Sequence, residues 1–144
     1  MAIRVVRLGS PRQPGEGLRL GTVRRPPRGV PKDQYAARDY YDVWLPEVAP
    51  GEELVKAALR ATGERAWASF TRRYRSEMKR PPAARLLDLL AALSRVADLS
   101  VGCYCPDERR CHRSVLRVLL AERGATLARR GAQPRGAALS PGTR

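Results

Sequence analysis

The chain has 144 residues and a formal net charge of +14 at pH 7, and hydrophobic residues make up 43% of it. That length supports one hydrophobic core, and the composition is that of an ordinary globular protein. No run of 18 or more apolar residues occurs, which excludes a membrane-spanning helix and argues against a membrane partner. The N-terminal segment is interrupted by Arg4 and Arg7 and lacks the apolar core of a signal peptide, so we expect the protein in the cytoplasm.

The excess of basic residues favours anionic partners, either an anionic small molecule such as a nucleotide or a nucleic acid. The charge is concentrated near the N-terminus, where residues 1–40 carry nine basic and three acidic side chains. The alternative is a solvated basic surface that has no partner.

The first 45 residues predict strands separated by loops. Residues 3–8 form a short apolar run rich in β-branched side chains, which is typical of a buried strand. Residues 9–17 contain two prolines and several glycines and predict a loop, and residues 18–23 predict a second strand. Three prolines make residues 24–31 a basic loop, and the aromatic residues 40–45 predict a further extended segment.

Helical patterns follow. A helix should begin near Glu52, with acidic side chains in its first turn, and end at Gly63. A second helix should begin near Glu64 and be broken by Pro81 and Pro82. Four large side chains of the second helix share a face, which favours core packing over a stacking platform for bases: Trp67, Phe70, Tyr74 and Met78.

The last part of the domain predicts a helix, a strand and a helix. The buried side of the first of these helices is predicted to be Leu86, Leu89, Leu90, Leu93, Val96 and Ala97. The strand should cover residues 98–105, and the final helix should begin at Arg110 or Cys111 and end at Gly124. Together the elements predict a single compact α/β domain over residues 1–128, Rossmann-like, with a mostly parallel sheet flanked by helices. Residues 129–144 are predicted to be a disordered basic tail.

All three cysteines and the only histidine of the chain lie within ten residues, at Cys103, Cys105, Cys111 and His112. An odd number of cysteines in a reducing compartment does not indicate a disulfide framework. If the strand covers residues 98–105, the first two thiols lie on one of its faces. Ligands of open α/β sheets bind beyond the carboxyl ends of strands, and the following helix N-terminus offers unpaired N–H groups. The cluster therefore marks the candidate site.

The first interpretation of the cluster is an anion pocket, with or without a reactive thiol. A helix N-terminus and neighbouring guanidinium groups lower the pKa of a thiol and would activate Cys103 or Cys105 as a nucleophile. The spacing from Cys103 to Arg109, with five residues between them, matches that of cysteine phosphatases. Arg110 stands where those enzymes have Ser or Thr, which weakens the match.

Two other interpretations stay open. Cys103, Cys105, Cys111 and His112 are the right types and number of ligands for a closed structural zinc site. Their spacing lacks the usual C-x2-C pairs, and adjacent residues seldom bind one metal ion. The remaining alternative is purely structural, because free cysteines are among the most often buried residues.

The chain resembles the bacterial and archaeal domain of unknown function 488 family. The residues that carry the resemblance are RPPRGVP at 25–31, YDVWLPEVAP at 41–50, the segment 67–78, and GCYCPDERRCHRSVL at 102–116. The last segment places the chain in the branch that has the Cys-x-Cys and Cys-His-Arg elements. The resemblance implies a compact α/β fold.

The resemblance also draws attention to Arg25, Arg28 and Trp44. Polar residues in a rigid, exposed loop are often functional, although Arg28 could merely pair with Asp42 or Glu47.

We therefore predict that residues 103–114 form an anion-binding strand-turn-helix for a nucleotide or nucleic acid, with Cys103 and Cys105 as candidate catalytic thiols. The residues predicted to hold the anion are Arg25, Arg28, Arg109, Cys111, His112, Arg113 and Ser114. The alternative prediction is a zinc-stabilised interaction module.

Overall fold

The computed structural model of the protein describes residues 1–129 and contains one sheet whose paired strands are all parallel. The strands are β1 (Ile3–Arg7), β2 (Leu18–Gly21), β3 (Val43–Trp44) and β4 (Leu99–Cys103). Their order across the sheet is β1-β4-β2-β3, so β4 lies between β1 and β2. Every residue of β4 is buried.

The helices are α1 (Glu52–Arg60), α2 (Glu64–Glu77), α3 (Ala83–Leu93) and α4 (His112–Glu122). These elements confirm the predicted α/β class: one parallel sheet packs with four helices in an arrangement consistent with a Rossmann-like fold. None of the helices in residues 1–129 combines the length and apolar character that crossing a bilayer requires. The predicted basic tail lies outside the described residues except for Arg129.

The main core lies between the sheet and the helices. Leu99 and Val101 of β4 belong to the same buried cluster as side chains from all four helices. Ser100, which lies between them, faces the opposite side and donates a hydrogen bond to the Glu16 backbone. This alternation follows from the two-residue repeat of a strand and gives the sheet a helix-covered face and a loop-covered face.

Several predicted boundaries change. Leu89, Leu93 and Val96 are exposed, so the predicted buried side of α3 is wrong at these positions. The residues of α3 that are buried are Ala83, Leu87, Leu90 and Ala91. These four positions follow a helical repeat. The repeat is hard to recognise in the sequence because leucines also occupy exposed positions of the helix.

The strands are also shorter than predicted. β3 contains only Val43 and Trp44, and β4 ends at Cys103. Cys105 therefore lies in the following loop, and the strand argument for its direction is wrong.

An ion pair is buried on the loop-covered face. The side chains of Arg19 and Glu16 are 0% and 3% exposed, and two of their N–O distances are 2.8 and 2.9 Å. Arg19 also donates to the backbone carbonyls of Ser10 and Asp39, at 2.8 and 2.6 Å. A buried charge is tolerated when it is paired and hydrogen-bonded in this way. The pair ties the β1–β2 loop to the β2–β3 loop.

We predict that Glu16→Gln lowers the free energy of unfolding by about 3 kcal/mol or more, because it leaves the buried Arg19 charge uncompensated. Asp88→Asn is the matched control, since Asp88 is 70% exposed and pairs with Arg123 on the surface. Its effect should stay below about 1 kcal/mol. Urea denaturation of both variants measures the difference, and equal losses would contradict a structural role for the buried pair.

Candidate functional site

The candidate site lies at the carboxyl end of β4, where the chain passes through a short loop into α4. Cys103 is the last residue of the strand and is buried, whereas Cys105 in the loop is exposed. A 3-10 helix at Glu108–Arg110 follows, and Asp107 caps it by accepting the Arg109 N–H. Cys111 is the N-cap residue of α4 and is buried. The loop thus returns the chain to the strand end.

Three potential ligand atoms meet here. The Sγ atoms of Cys103 and Cys111 and one ring nitrogen of His112 all lie within 4.8 Å of one another. Cys111 Sγ is 3.8 Å from His112 Nδ1. The Cys105 thiol lies outside this group of three but close enough to Cys103 and Cys111 for the three thiols to influence one another's acidity. The structure therefore brings all four residues of the sequence cluster together.

The protonation state of His112 follows from its partners. Its Nε2 atom is 2.7 Å from the carbonyl oxygen of Thr22, which only accepts hydrogen bonds, so Nε2 carries the proton. Nδ1 is then the unprotonated nitrogen on the thiol side. Burial lowers the pKa of His112 to about 4, so the ring is neutral at pH 7.

The three thiols have different acidities. The hydrogen bonds to Cys105 and Cys111, followed by burial, raise the pKa of Cys103 far above its ordinary value. The same hydrogen bonds act in the opposite direction on Cys105, because its sulfur is the acceptor from Cys103 and Cys111, and they lower its pKa. The charge of Arg113 lowers it further. Cys105 is therefore the most acidic thiol of the cluster, and it is also the exposed thiol.

Arg113 is a buried cation beside the cluster, with 4% of its surface exposed. One of its terminal nitrogens donates to the backbone carbonyl of Cys105 at 2.5 Å. Its Nε–H has no hydrogen-bond partner among the described residues. A buried donor without a partner is uncommon and calls for an explanation such as a ligand or a water molecule.

Two clefts open beside the cluster. The apolar cleft, of about 410 Å³, is lined mainly by α1 and α2 and includes Trp67 and Phe70. The basic cleft, of about 390 Å³, includes Arg24, Arg25 and Arg28. Residues that line both clefts are Pro50, Val55, Leu59, Cys105 and His112. The exposed thiol and the histidine thus lie where the two clefts meet.

The structure separates the predicted anion ligands into two groups. Arg25 and Arg28 line the basic cleft with Cys105, although Arg25 forms an ion pair with Glu52. Arg28 pairs with neither Asp42 nor Glu47 and makes no hydrogen bond or ion pair within residues 1–129. It is therefore a free cation at the site.

The second group is directed elsewhere. The Arg109 side chain is 83% exposed and pairs with Asp107, away from both clefts. The Ser114 hydroxyl donates to the carbonyl of Cys111, the N-cap residue of its own helix. Trp44 donates its ring N–H to the Val23 carbonyl and supports the start of the basic loop.

Two residues contribute to the site in ways that the sequence does not reveal: Thr22 and Trp67. Thr22 acts through its backbone carbonyl, which any residue type would supply, so no pattern identifies it. Trp67 was predicted to be core, and it does pack on Phe70, yet it also lines the apolar cleft. Phe70, Tyr74 and Met78 are buried as predicted.

The geometry thus defines the class of protein: an α/β domain with thiol and histidine side chains grouped at the end of a central parallel strand. The chain matches the family model described as the active DUF488-N3 subclade over residues 3–124. It therefore belongs to the domain of unknown function 488 family. Comparisons with curated proteins and with solved structures give no significant match.

We predict that Cys105 is the one thiol that iodoacetamide modifies quickly in the folded protein at pH 6. Its lowered pKa leaves it ionised there, whereas Cys103 and Cys111 are buried and protonated. Peptide mapping by mass spectrometry identifies the modified residue, and Cys105→Ser should abolish the fast phase. An apparent pKa for Cys105 at or above the free value of about 8.5 would contradict the assignment.

We also predict that the protein loses about 2 kcal/mol of stability between pH 7 and pH 5 through His112. The unfolded chain binds a proton at the ordinary histidine pKa of about 6.5, but the folded protein does so only near pH 4, so acid favours unfolding in this window. His112→Gln keeps an N–H donor for Thr22 and removes the titration. As His112 is the only histidine, parent and variant should differ in slope over this range. Parallel urea titrations at each pH test this.

Proposed function

We propose that the domain binds a nucleotide, free or within a nucleic acid, where the apolar and basic clefts meet, and that the Cys105 thiolate acts on it as a nucleophile. The observation that carries the proposal is that Cys105 and His112 line both clefts. A ligand with an aromatic part and an anionic part would occupy both clefts and pass over the thiol.

The apolar cleft suits the base. The rings of Trp67 and Phe70 are stacked, with centroids 5.3 Å apart and planes inclined by 14°. Phe70 is buried, so Trp67 is fixed from behind and offers its accessible surface to the cleft. Stacking of a base on such a side chain is worth roughly 1–3 kcal/mol.

The basic cleft suits the phosphate. Arg24 is committed to the structure, since it donates to the carbonyls of Pro46, Ala49 and Pro50. Arg28 makes no hydrogen bond or ion pair within residues 1–129, so it can bind a phosphate without breaking an existing contact. A guanidinium group binds phosphate oxygens with charge-assisted hydrogen bonds.

The chemical step uses the thiol that is both ionised and exposed. The Cys105 sulfur would form a bond to an electrophilic centre of the ligand, and the leaving group would depart with the electron pair of the bond that breaks. Water would then attack the same centre, its proton would pass to solvent, and Cys105 would regain its electron pair. The description of the matching subclade as active supports a chemical role.

A zinc site is the second candidate, and one specific observation favours it. Metal-binding histidines usually donate their other ring N–H to a carbonyl or carboxylate, as His112 does to Thr22. Cys103, Cys111 and His112 would bind the ion, and Cys105 would be the fourth ligand of a tetrahedral site. The adjacency of Cys111 and His112 is no obstacle, since their ligand atoms do lie close together.

We predict that a nucleoside monophosphate slows alkylation of Cys105 in the parent protein, because the bound ligand covers the thiol. Arg28→Ala should raise the concentration needed for half-protection roughly tenfold, the size expected for a lost charge-assisted hydrogen bond. Arg38→Ala is the matched control, because Arg38 is exposed in the same long loop and lines neither cleft. Absence of protection at saturating nucleotide, or equal effects of the two variants, would refute the proposed site.

Metal content distinguishes the second candidate. Protein prepared without a metal-affinity tag should contain about one equivalent of zinc if the four residues form a structural site, because such sites bind tightly. The thiols would then resist alkylation until a chelator is added. Less than about a tenth of an equivalent, together with fast alkylation of Cys105, would exclude zinc and support the thiolate.

A further inference from the structure

A third cleft adjoins the basic cleft, and Cys105 does not line it. We name it the tyrosine cleft, and its volume is about 400 Å³. The residues that line it are Arg7, Leu8, Pro26, Pro27, Arg28, Tyr40 and Tyr104. The site described above does not use this cleft.

The three clefts adjoin one another in a row. Arg28 and Tyr104 line both the basic cleft and the tyrosine cleft, just as Cys105 and His112 line both the apolar and the basic clefts. A ligand that extends past Arg28 would reach the tyrosine cleft along the side chain of Tyr104, whose hydroxyl donates to the Arg25 carbonyl at 2.8 Å.

The tyrosine cleft has the chemistry of a second nucleotide site. It is lined by two guanidinium groups and two phenol rings and by no carboxylate. Tyr40 and Tyr104 meet edge to face, with centroids 6.1 Å apart, so their positions fix each other. Arg7 uses its Nε–H to hold the Tyr104 carbonyl, and its terminal nitrogens make no hydrogen bond or ion pair within residues 1–129.

We infer that the ligand is a single-stranded nucleic acid: one nucleotide places its base in the apolar cleft and its phosphate in the basic cleft, and the next nucleotide occupies the tyrosine cleft. This inference rests on the proposed function and extends it from one nucleotide to a strand. Alternating cationic and aromatic side chains in a row of clefts is the arrangement that binds single strands, with phosphates on the cations and bases stacked on the rings. A duplex hides the faces of its bases and could not use Trp67 or Tyr40 in this way.

The test measures affinity against strand length for the full chain by competition in fluorescence anisotropy. The probes are thymidine monophosphate, a thymidine tetranucleotide, the corresponding uridine tetranucleotide and a short DNA hairpin. The tetranucleotides should bind at least tenfold more tightly than the monophosphate, and the hairpin stem should compete poorly. The DNA and RNA arms show which sugar the clefts prefer.

Arg7→Gln tests the tyrosine cleft itself, since glutamine can still donate to the Tyr104 carbonyl while the charge is lost. The ratio of tetranucleotide to monophosphate affinity should fall several-fold. The dependence of log affinity on log salt should become shallower by about 0.7, the value for one phosphate contact on a single strand. Arg72→Ala on α2 is the control, because Arg72 is exposed and lines none of the three clefts.

The outcomes separate the two proposals. Monophosphate binding without a gain from strand length, or equal effects of Arg7→Gln and Arg72→Ala, would overturn the strand inference and leave the nucleotide site standing. Hairpin binding as tight as that of the tetranucleotides would also overturn it. If neither the monophosphate nor the tetranucleotides bind, the proposed function fails as well.

Discussion

Two backbone carbonyls just beyond the ends of β2 and β4 determine how the site is assembled. The carbonyl of Thr22 accepts from His112, and the carbonyl of Cys105 accepts from Arg113. Parallel strands end at the same edge of the sheet, so the last carbonyls of neighbouring strands lie close together and need donors from elsewhere. The first two residues of α4 supply them. Because Thr22 is fully buried, leaving its carbonyl unpaired would be costly. The two bonds together hold the start of α4 at the strand ends, where Cys111 lies close to Cys103.

The two buried arginines among the described residues differ in how completely their side chains are paired. The Arg19 guanidinium group donates to the Glu16 carboxylate and to two backbone carbonyls, so its hydrogen bonds are explained without a ligand. Arg113 is almost as buried, yet its side chain forms one hydrogen bond among the described residues and its Nε–H has no partner there. A protein tolerates such an incomplete environment where function requires it. The incompletely paired side chain of Arg113 and the exposed Cys105 thiol are therefore the two features that distinguish the candidate site.

Sequence patterns located the cluster but not its arrangement. Helices and strands follow from local periodicity, and the grouping of Cys103, Cys105, Cys111 and His112 is visible without a structure. The contact between Thr22 and His112 joins residues 90 positions apart, so no local pattern contains it.

The same limit explains the assignment of the arginines. Arg109 has the spacing of a catalytic arginine, but a local cap turns it towards Asp107, while Arg113 points back from the first turn of α4. Spacing along a chain predicts which residues lie near one another. Which of their side chains face the site depends on local capping hydrogen bonds and on where each residue lies around the helix.

The balance of charge bears on the choice between thiolate and zinc. One thiolate beside Arg113 gives a neutral cluster when Cys103, Cys111 and His112 are uncharged. A zinc ion with three thiolates carries one negative charge, which Arg113 also neutralises. Exposure separates the two, because structural zinc sites are closed and their ligands shielded, whereas Cys105 is exposed and borders both clefts. A reactive thiol needs that access and a metal ligand does not, so the position of Cys105 favours the nucleophile.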